Sequence, residues 1–155
     1  MTESRDILLV EDNAYDIELA VIALLKGVCG RAHEIVTCRD GEVALDYLCR
    51  RGSYHDRHSG HPAVVLLDLK LPRVDGFEVL QRIKTNTDLS TVPVVVLTSS
   101  REPSDIRRSY DFGANAYVVK PMSFDDYMDV VCRVGYFWTT VNVPPVVPAL
   151  SLQPC

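Results

Sequence analysis

The chain has 155 residues, 47% of them apolar and 24% charged, and a formal net charge of −5. That is room for one domain with a core of its own and a short appendage, and the expectation is that no separate output or DNA-binding domain is present. An acidic balance argues against nucleic acid as a direct ligand, and no apolar run is long enough for a secretory signal or a membrane span, so a cytoplasmic protein without membrane contact is expected.

Ile7-Leu8-Leu9-Val10 predicts a buried strand running into the acidic pair Glu11-Asp12. Asn13 can cap the helix that follows, where Ile17, Ala20, Val21, Leu24 and Leu25 recur at spacings of three and four, and Gly27 and Gly30 close it. The segment 33–38 mixes polar with apolar residues, as an edge strand does. Asp40-Gly41 opens a second helix with Ala44, Leu45 and Leu48 on one side and Arg50-Arg51 near its end, where cations suit the dipole. A loop over 52–62 carries His55, His58 and His61. With no cysteine in it to fix a geometry, it is read as a solvated polar loop rather than a metal site.

A third strand is predicted over 63–68, four branched apolar residues leading into Asp68. Asp75 and Glu78 form a capping box for a third helix that turns Phe77, Leu80 and Ile83 inward. The fourth strand, 93–98, ends in Thr98-Ser99-Ser100. Pro103 suits the first turn of a fourth helix with Ile106 and Tyr110 on one face and Gly113 as terminator. The fifth strand, 116–120, ends in Lys120-Pro121, and Ser123 starts a last helix carrying Tyr127, Met128, Val131 and Val134. Arg107-Arg108 and Arg50-Arg51 read as solvated helix faces. Five cysteines, Cys29, Cys38, Cys49, Cys132 and Cys155, without a CxxC pair, read as reduced structural thiols, Cys155 being the likeliest of them to react.

Five apolar strands alternating with five helical patterns predict a doubly wound α/β fold, a parallel (βα)5 sheet covered on both faces. The folded domain is placed at 6–137. From Trp138 the proline-rich segment 138–155 is read as an extended arm or tail, because Pro144, Pro145 and Pro148 cannot continue a helix. Such an arm is either disordered or packs on its own domain or on a second copy.

Function in open parallel sheets gathers at the carboxyl ends of the strands, where this sequence puts Glu11-Asp12, Asp68, Thr98 and Lys120. In the strand order 2-1-3-4-5, taken from known doubly wound sheets, the first and third strands are neighbours and their carboxylates converge. Two like charges 4 Å apart repel by about 4 kcal/mol at an effective dielectric of 20, so the cluster calls for a cation. Carboxylate oxygens with water in the remaining positions suit Mg2+, while Lys120 and Thr98 supply a charge and a hydroxyl for phosphoryl oxygens. Asp68 is then free to act as a nucleophile that forms an aspartyl phosphate.

The set Val10-Glu11-Asp12-Asn13, Leu67-Asp68-Leu69-Lys70-Leu71-Pro72 with Asp75-Gly76, Leu97-Thr98-Ser99 and Tyr117-Val118-Val119-Lys120-Pro121 resembles the receiver domains of two-component response regulators over about 6–136. The resemblance implies a flavodoxin-like fold with Asp68 as phosphoryl acceptor from a sensor histidine kinase or phosphotransfer protein. It implies that Glu11, Asp12, Asp68 and the backbone carbonyl of Lys70 bind Mg2+. It also implies a switch pair of Thr98 and Tyr117, and a phosphoryl-sensing Lys120 before a cis Pro121. Glu11 stands where many members have Asp. The 52–62 loop and the arm look most like small receivers paired with bacterial phytochromes, and the apolar residues from Tyr136 to Val147 suggest a homodimer.

Taken singly, Thr98 reads as a strand-end hydroxyl, Lys120 as a surface cation, Tyr117 as a half-buried aromatic and Glu11-Asp12 as a solvated turn. Only their recurrence at strand ends favours the functional reading. An aspartate-nucleophile phosphohydrolase is the rival enzyme, but Lys70 replaces the second Asp of its Asp-x-Asp pair, which argues for no catalysis beyond the chain's own phosphorylation and dephosphorylation. An FMN binder would need a phosphate-cradling loop where Glu11-Asp12 stands. A pseudo-receiver serving only assembly would have lost acceptor or metal residues, and none is lost.

Overall fold

The structure, a computed structural model, describes residues 5–28, 33–146 and 155. Cys29 and Gly30, and the part of the expected arm from Val147 to Pro148 and beyond, lie outside the described residues. Five strands and five helices alternate: β1 Ile7–Val10, α1 Ala14–Gly27, β2 Ile35–Cys38, α2 Gly41–Cys49, β3 Val64–Leu67, α3 Gly76–Thr85, β4 Val94–Thr98, α4 Pro103–Asp111, β5 Ala116–Val119 and α5 Phe124–Tyr136. All strand pairs are parallel, in the order β2-β1-β3-β4-β5. Among the described residues no helix is long and apolar enough to cross a membrane.

Helix starts follow from short polar side chains that take up otherwise unpaired amides. Asn13 accepts from the Asp16 amide (3.0 Å), Asp40 from Val43 (2.8 Å), Asp75 from Glu78 (2.9 Å) and Ser123 from Asp126 (3.1 Å). The box at α3 is only half formed, because the Glu78 carboxylate binds Arg82 one turn on instead of reaching back. Helix α4 has no side-chain cap and begins on Pro103.

Alternation along the strands divides the core. Ile7, Leu9, Val64, Leu66, Val95 and Leu97 face α1 and α5, and Leu8, Val10, Val65, Leu67, Val94 and Val96 face α2 and α3. The twelve side chains are nearly or fully buried, so each contributes on the order of 1.5–3 kcal/mol. By contrast, α4 sinks only Ser109 fully into the interior, and Tyr110 is half exposed. It is the least anchored helix of the sheet.

Three expectations are corrected. The helical path does not stop before Trp138: a π-helical turn, Phe137–Val141, continues α5, with Thr139 buried, its hydroxyl donating to the Gly135 carbonyl (2.7 Å), and Trp138 against the α1/α5 core. The prolines begin only at Pro144 and so end that path later than expected. Arg5 then donates to the Pro145 carbonyl (3.0 Å), so the start of the arm touches its own domain. Second, His61 is buried rather than solvated, within reach of the charge of Arg57, whose guanidinium lies 4.2 Å over the Tyr47 ring and bonds the Tyr47, Ser59 and Gly60 carbonyls. The rest of the loop is solvated as expected, with His55 and His58 exposed. Third, the cysteines are not all reduced: Cys49 at the end of α2 is joined to Cys155, while Cys38 and Cys132 are free. The partner lies 106 residues away, a pairing that spacing does not reveal. Arg108 is exposed, as expected of a solvated helix face, and also stacks 4.1 Å over Phe77 and 5.3 Å over Phe112.

Candidate functional site

The register brings the strand ends together. Val10 lies opposite both Cys38 and Leu67, the Asp68 amide donates to the Val10 carbonyl (3.0 Å) and the Glu11 amide to the Cys38 carbonyl (3.0 Å). Glu11 and Asp68 therefore leave adjacent strands side by side. On the other flank Thr98 lies opposite Val119, and the Lys120 amide donates to the Thr98 carbonyl (2.7 Å). Parallel strands of near-equal length end together, which is why residues from four separate motifs meet on one edge.

Lys120 is the hub of this edge. Its Nζ donates to Glu11 Oε2 (2.5 Å), Asp16 Oδ2 (2.9 Å) and Asp68 Oδ2 (3.0 Å), which uses all three ammonium hydrogens. Glu11, Asp68, Thr98 and Lys120 are buried, whereas Asp12 is exposed at the mouth. Burial pushes the Glu11 carboxyl up to about 7, the Asp68 charge adding to the push and the Lys120 hydrogen bond opposing it. For Lys120 burial works against the charged form, but its hydrogen bond to Glu11 and the charge of Asp68 outweigh it and hold the ammonium above its ordinary value. The ammonium is thus protonated, and the pocket still carries more carboxylates than it can neutralise.

Glu11, Asp12 and Asp68 each offer a carboxylate oxygen, and these oxygens lie within 4.8 Å of one another. Hard oxygen donors with surplus negative charge fit a hard divalent cation. The Lys70 amide donates to Asp68 Oδ1 (3.3 Å), so Lys70 sits beside the acceptor as expected. The loop between Asp68 and α3 closes through the Gly76 amide, which donates to the Leu69 carbonyl (2.9 Å). A Cβ on Gly76 would stand 2.2 Å from the Asp68 carbonyl oxygen, so only glycine fits there. Arg73 takes a left-handed conformation (φ 66°) in the same loop and reaches Glu42 at 2.7 Å.

Thr98 Oγ1 accepts from the Ser100 amide (3.4 Å), and the Tyr117 hydroxyl donates to the Ser100 carbonyl (3.0 Å), so one residue links the expected pair. Tyr117 is half-buried against the α2/α3 core, and burial raises its hydroxyl above the ordinary value. The peptide bond before Pro121 is trans, as is every described one, which corrects the cis expectation; at an X–Pro bond the two isomers differ by only about 0.5–1 kcal/mol. Sequence reasoning missed Asp16. A carboxylate in the first turn of a helix reads as a partner for the dipole, and the one hint was that α1 starts at the functional edge of the sheet.

Residues 7–131 match the family model described as the response regulator receiver domain. Among curated relatives, the chain is 43% identical over 144 residues to a probable methanogenesis regulatory protein, FilR2, of Methanothrix harundinacea, covering 90% of this chain and 86% of that one. It is 40% identical over 139 residues to the response regulator Rcp1 of Synechocystis, covering 89% and 92%. Among solved structures, the phosphorylated cyanobacterial phytochrome response regulator RcpA is 39% identical with a TM-score of 0.86, covering 93% of this chain and all of that one. The Mn2+-bound form of Rcp1 is 38% identical with a TM-score of 0.84, covering 92% and 99%. The bacteriophytochrome response regulator AtBRR is 55% identical with a TM-score of 0.72, covering 92% and 100%.

Proposed function

The chain belongs to the response regulator receiver domain family, and we propose that it is a phosphorylation-controlled switch with Asp68 as its phosphoryl acceptor. The observation that carries this reading is the setting of Asp68: a lone strand-end carboxylate 3.0 Å from the Lys120 ammonium, with the oxygens of Glu11 and Asp12 within 4.8 Å. A sensor histidine kinase or phosphotransfer protein is the donor, and the 55% identity to a bacteriophytochrome response regulator supports a phytochrome-type kinase in particular. The reaction takes place in the cytoplasm, and the chain catalyses only its own phosphorylation and dephosphorylation.

Asp68 attacks phosphorus in line, forming a P–O bond as the P–N bond to the donor imidazole breaks and its electron pair returns to the ring. Lys120 holds positive charge against the phosphoryl oxygens, and Thr98 turns its hydroxyl toward one of them. Glu11, Asp12, Asp68 and the Lys70 carbonyl would hold a divalent cation, Mg2+ in the cell, which would neutralise the remaining charge; the oxygen donor set and the Mn2+-bound relative support that choice. As Thr98 moves, Ser100 and with it the Tyr117 hydroxyl lose their present geometry, and α4 responds because little packing holds it. Incorporation of phosphoryl into wild type and into Asp68→Asn tests the assignment.

A homodimer through the end of α5 and the arm is the second part of the proposal. Tyr136, Phe137, Val141, Val143 and Val146 are exposed on one stretch of chain, and such a set gains by leaving water.

A further inference from the structure

Asp16 has no place in the roles assigned above, yet it is one of three acceptors of the Lys120 ammonium among the described residues. The other two, Glu11 and Asp68, belong to the group of carboxylates that converge on a cation position, and Asp16 does not. Its place is fixed from two sides: its amide donates to Asn13 Oδ1 (3.0 Å), and its carbonyl accepts from the Tyr127 hydroxyl of α5 (3.3 Å). The carboxylate is therefore held at the rim by α1 and α5, outside the strand-end cluster but within reach of Nζ at 2.9 Å.

We propose that Asp16 is a positioning residue for Lys120, the acceptor that keeps the ammonium at the site when Glu11 and Asp68 turn their oxygens to a divalent cation and a phosphoryl group. The inference rests on the metal and phosphoryl reading above. Nζ has three hydrogens and at present three carboxylate partners. Once Glu11 and Asp68 turn to a cation, and before a phosphoryl group brings oxygens of its own, a buried ammonium left without acceptors faces both desolvation and a second positive charge. Asp16 satisfies it with no movement of the chain. Without the Asp16 carboxylate, Lys120 settles between Glu11 and Asp68 and competes for the oxygens that a cation needs. Asp16 thus acts on metal binding through Lys120.

Mn2+ titration of the full chain, followed by the electron paramagnetic resonance of free Mn2+, tests this in wild type, D16N, D16E, K120A and the D16N/K120A double variant. D16N is expected to weaken Mn2+ binding about five- to tenfold, D16E to restore most of it, and D16N to change affinity less than about twofold in the K120A background. The slowly exchanging ammonium resonance of Lys120 should also broaden in D16N. Equal losses in both backgrounds would reduce Asp16 to a remote charge and overturn the positioning role, as would an unchanged affinity in D16N. A wild type that binds no Mn2+ contradicts the metal reading itself, and the role of Asp16 toward the metal falls with it. Asp16 is partly exposed, and matching thermal unfolding curves exclude a folding defect.

Discussion

Lys120 Nζ stands 3.0 Å from Asp68 Oδ2, a contact between residues 52 apart that joins the ends of two strands which are not neighbours in the sheet. One strand, β4, separates β3 from β5, and the Lys side chain crosses the end of it. Thr98 terminates β4 beneath that crossing. A threonine, an ammonium and a carboxylate thereby share one edge of the sheet, an arrangement that the proposed phosphoryl transfer would use.

Gly76→Ala is expected to destabilise the fold by ~1–3 kcal/mol, because the new Cβ meets backbone, at 2.2 Å from the Asp68 carbonyl oxygen and 2.6 Å from Leu69 Cα, where no side chain can give way. Urea unfolding midpoints measure the loss. The same shift displaces Asp68, so phosphoryl incorporation should fall as well. A wild-type midpoint would mean that the loop after Asp68 relaxes freely.

His61 and Glu11 make opposite contributions to stability as pH falls. Burial lowers His61 from 6.5, aided by the charges of Arg50, Arg57 and Arg5, so the unfolded chain takes up its proton first and stability is lost as pH drops below 6.5. Glu11 is raised from 4.5 to about 7, so the folded chain takes up that proton first and stability is gained over the same window. Without divalent cation the two oppose one another in wild type as pH falls below 6.5. In His61→Leu only the gain should remain, with a slope of up to ~1.4 kcal/mol per pH unit. Equal pH profiles for the two proteins would show that His61 is not held neutral.

Much of the fold and the site was legible because strands end where their hydrophobic runs end. Glu11, Asp68, Thr98 and Lys120 each follow an apolar run, the helix caps at Asn13, Asp40, Asp75 and Ser123 are local, and parallel pairing does the rest. What stayed hidden depends on long-range contacts. Asp16 meets Lys120 across 104 residues, Cys49 meets Cys155 across 106, and Arg57 stacks on the Tyr47 ring ten residues back, near a His61 that is buried. The helical turn past Tyr136 was missed because the prolines that end it lie several residues farther on.

Thr98→Ala should still accept phosphoryl on Asp68 but lose the wider response. The side chain is buried, and its hydroxyl binds the Ser100 amide weakly at 3.4 Å, so the folded state should lose no more than about 1 kcal/mol. Beryllofluoride added to wild type should shift NMR signals along α4, β5 and α5, including Tyr117. The same shifts in Thr98→Ala would show that the signal travels by another route.

Ending the chain after Asn142 tests the arm while leaving Trp138 and Thr139 in the core. Under reducing conditions, which free Cys155 from Cys49, sedimentation of the full chain is expected to give a dimer and the shortened chain a monomer. Equal monomeric masses would assign the arm to its own domain, to which the Arg5–Pro145 contact already ties it.

The most direct test of the account is the intact mass of the protein after treatment with a small acyl-phosphate or phosphoramidate donor, with Mg2+ and with chelator. Wild type should gain a single acid-stable, base-labile phosphoryl group only when the cation is present, and Asp68→Asn should gain none. Labelling that persists in Asp68→Asn, or that proceeds equally in chelator, would contradict the assignment of Asp68 and its carboxylate neighbours.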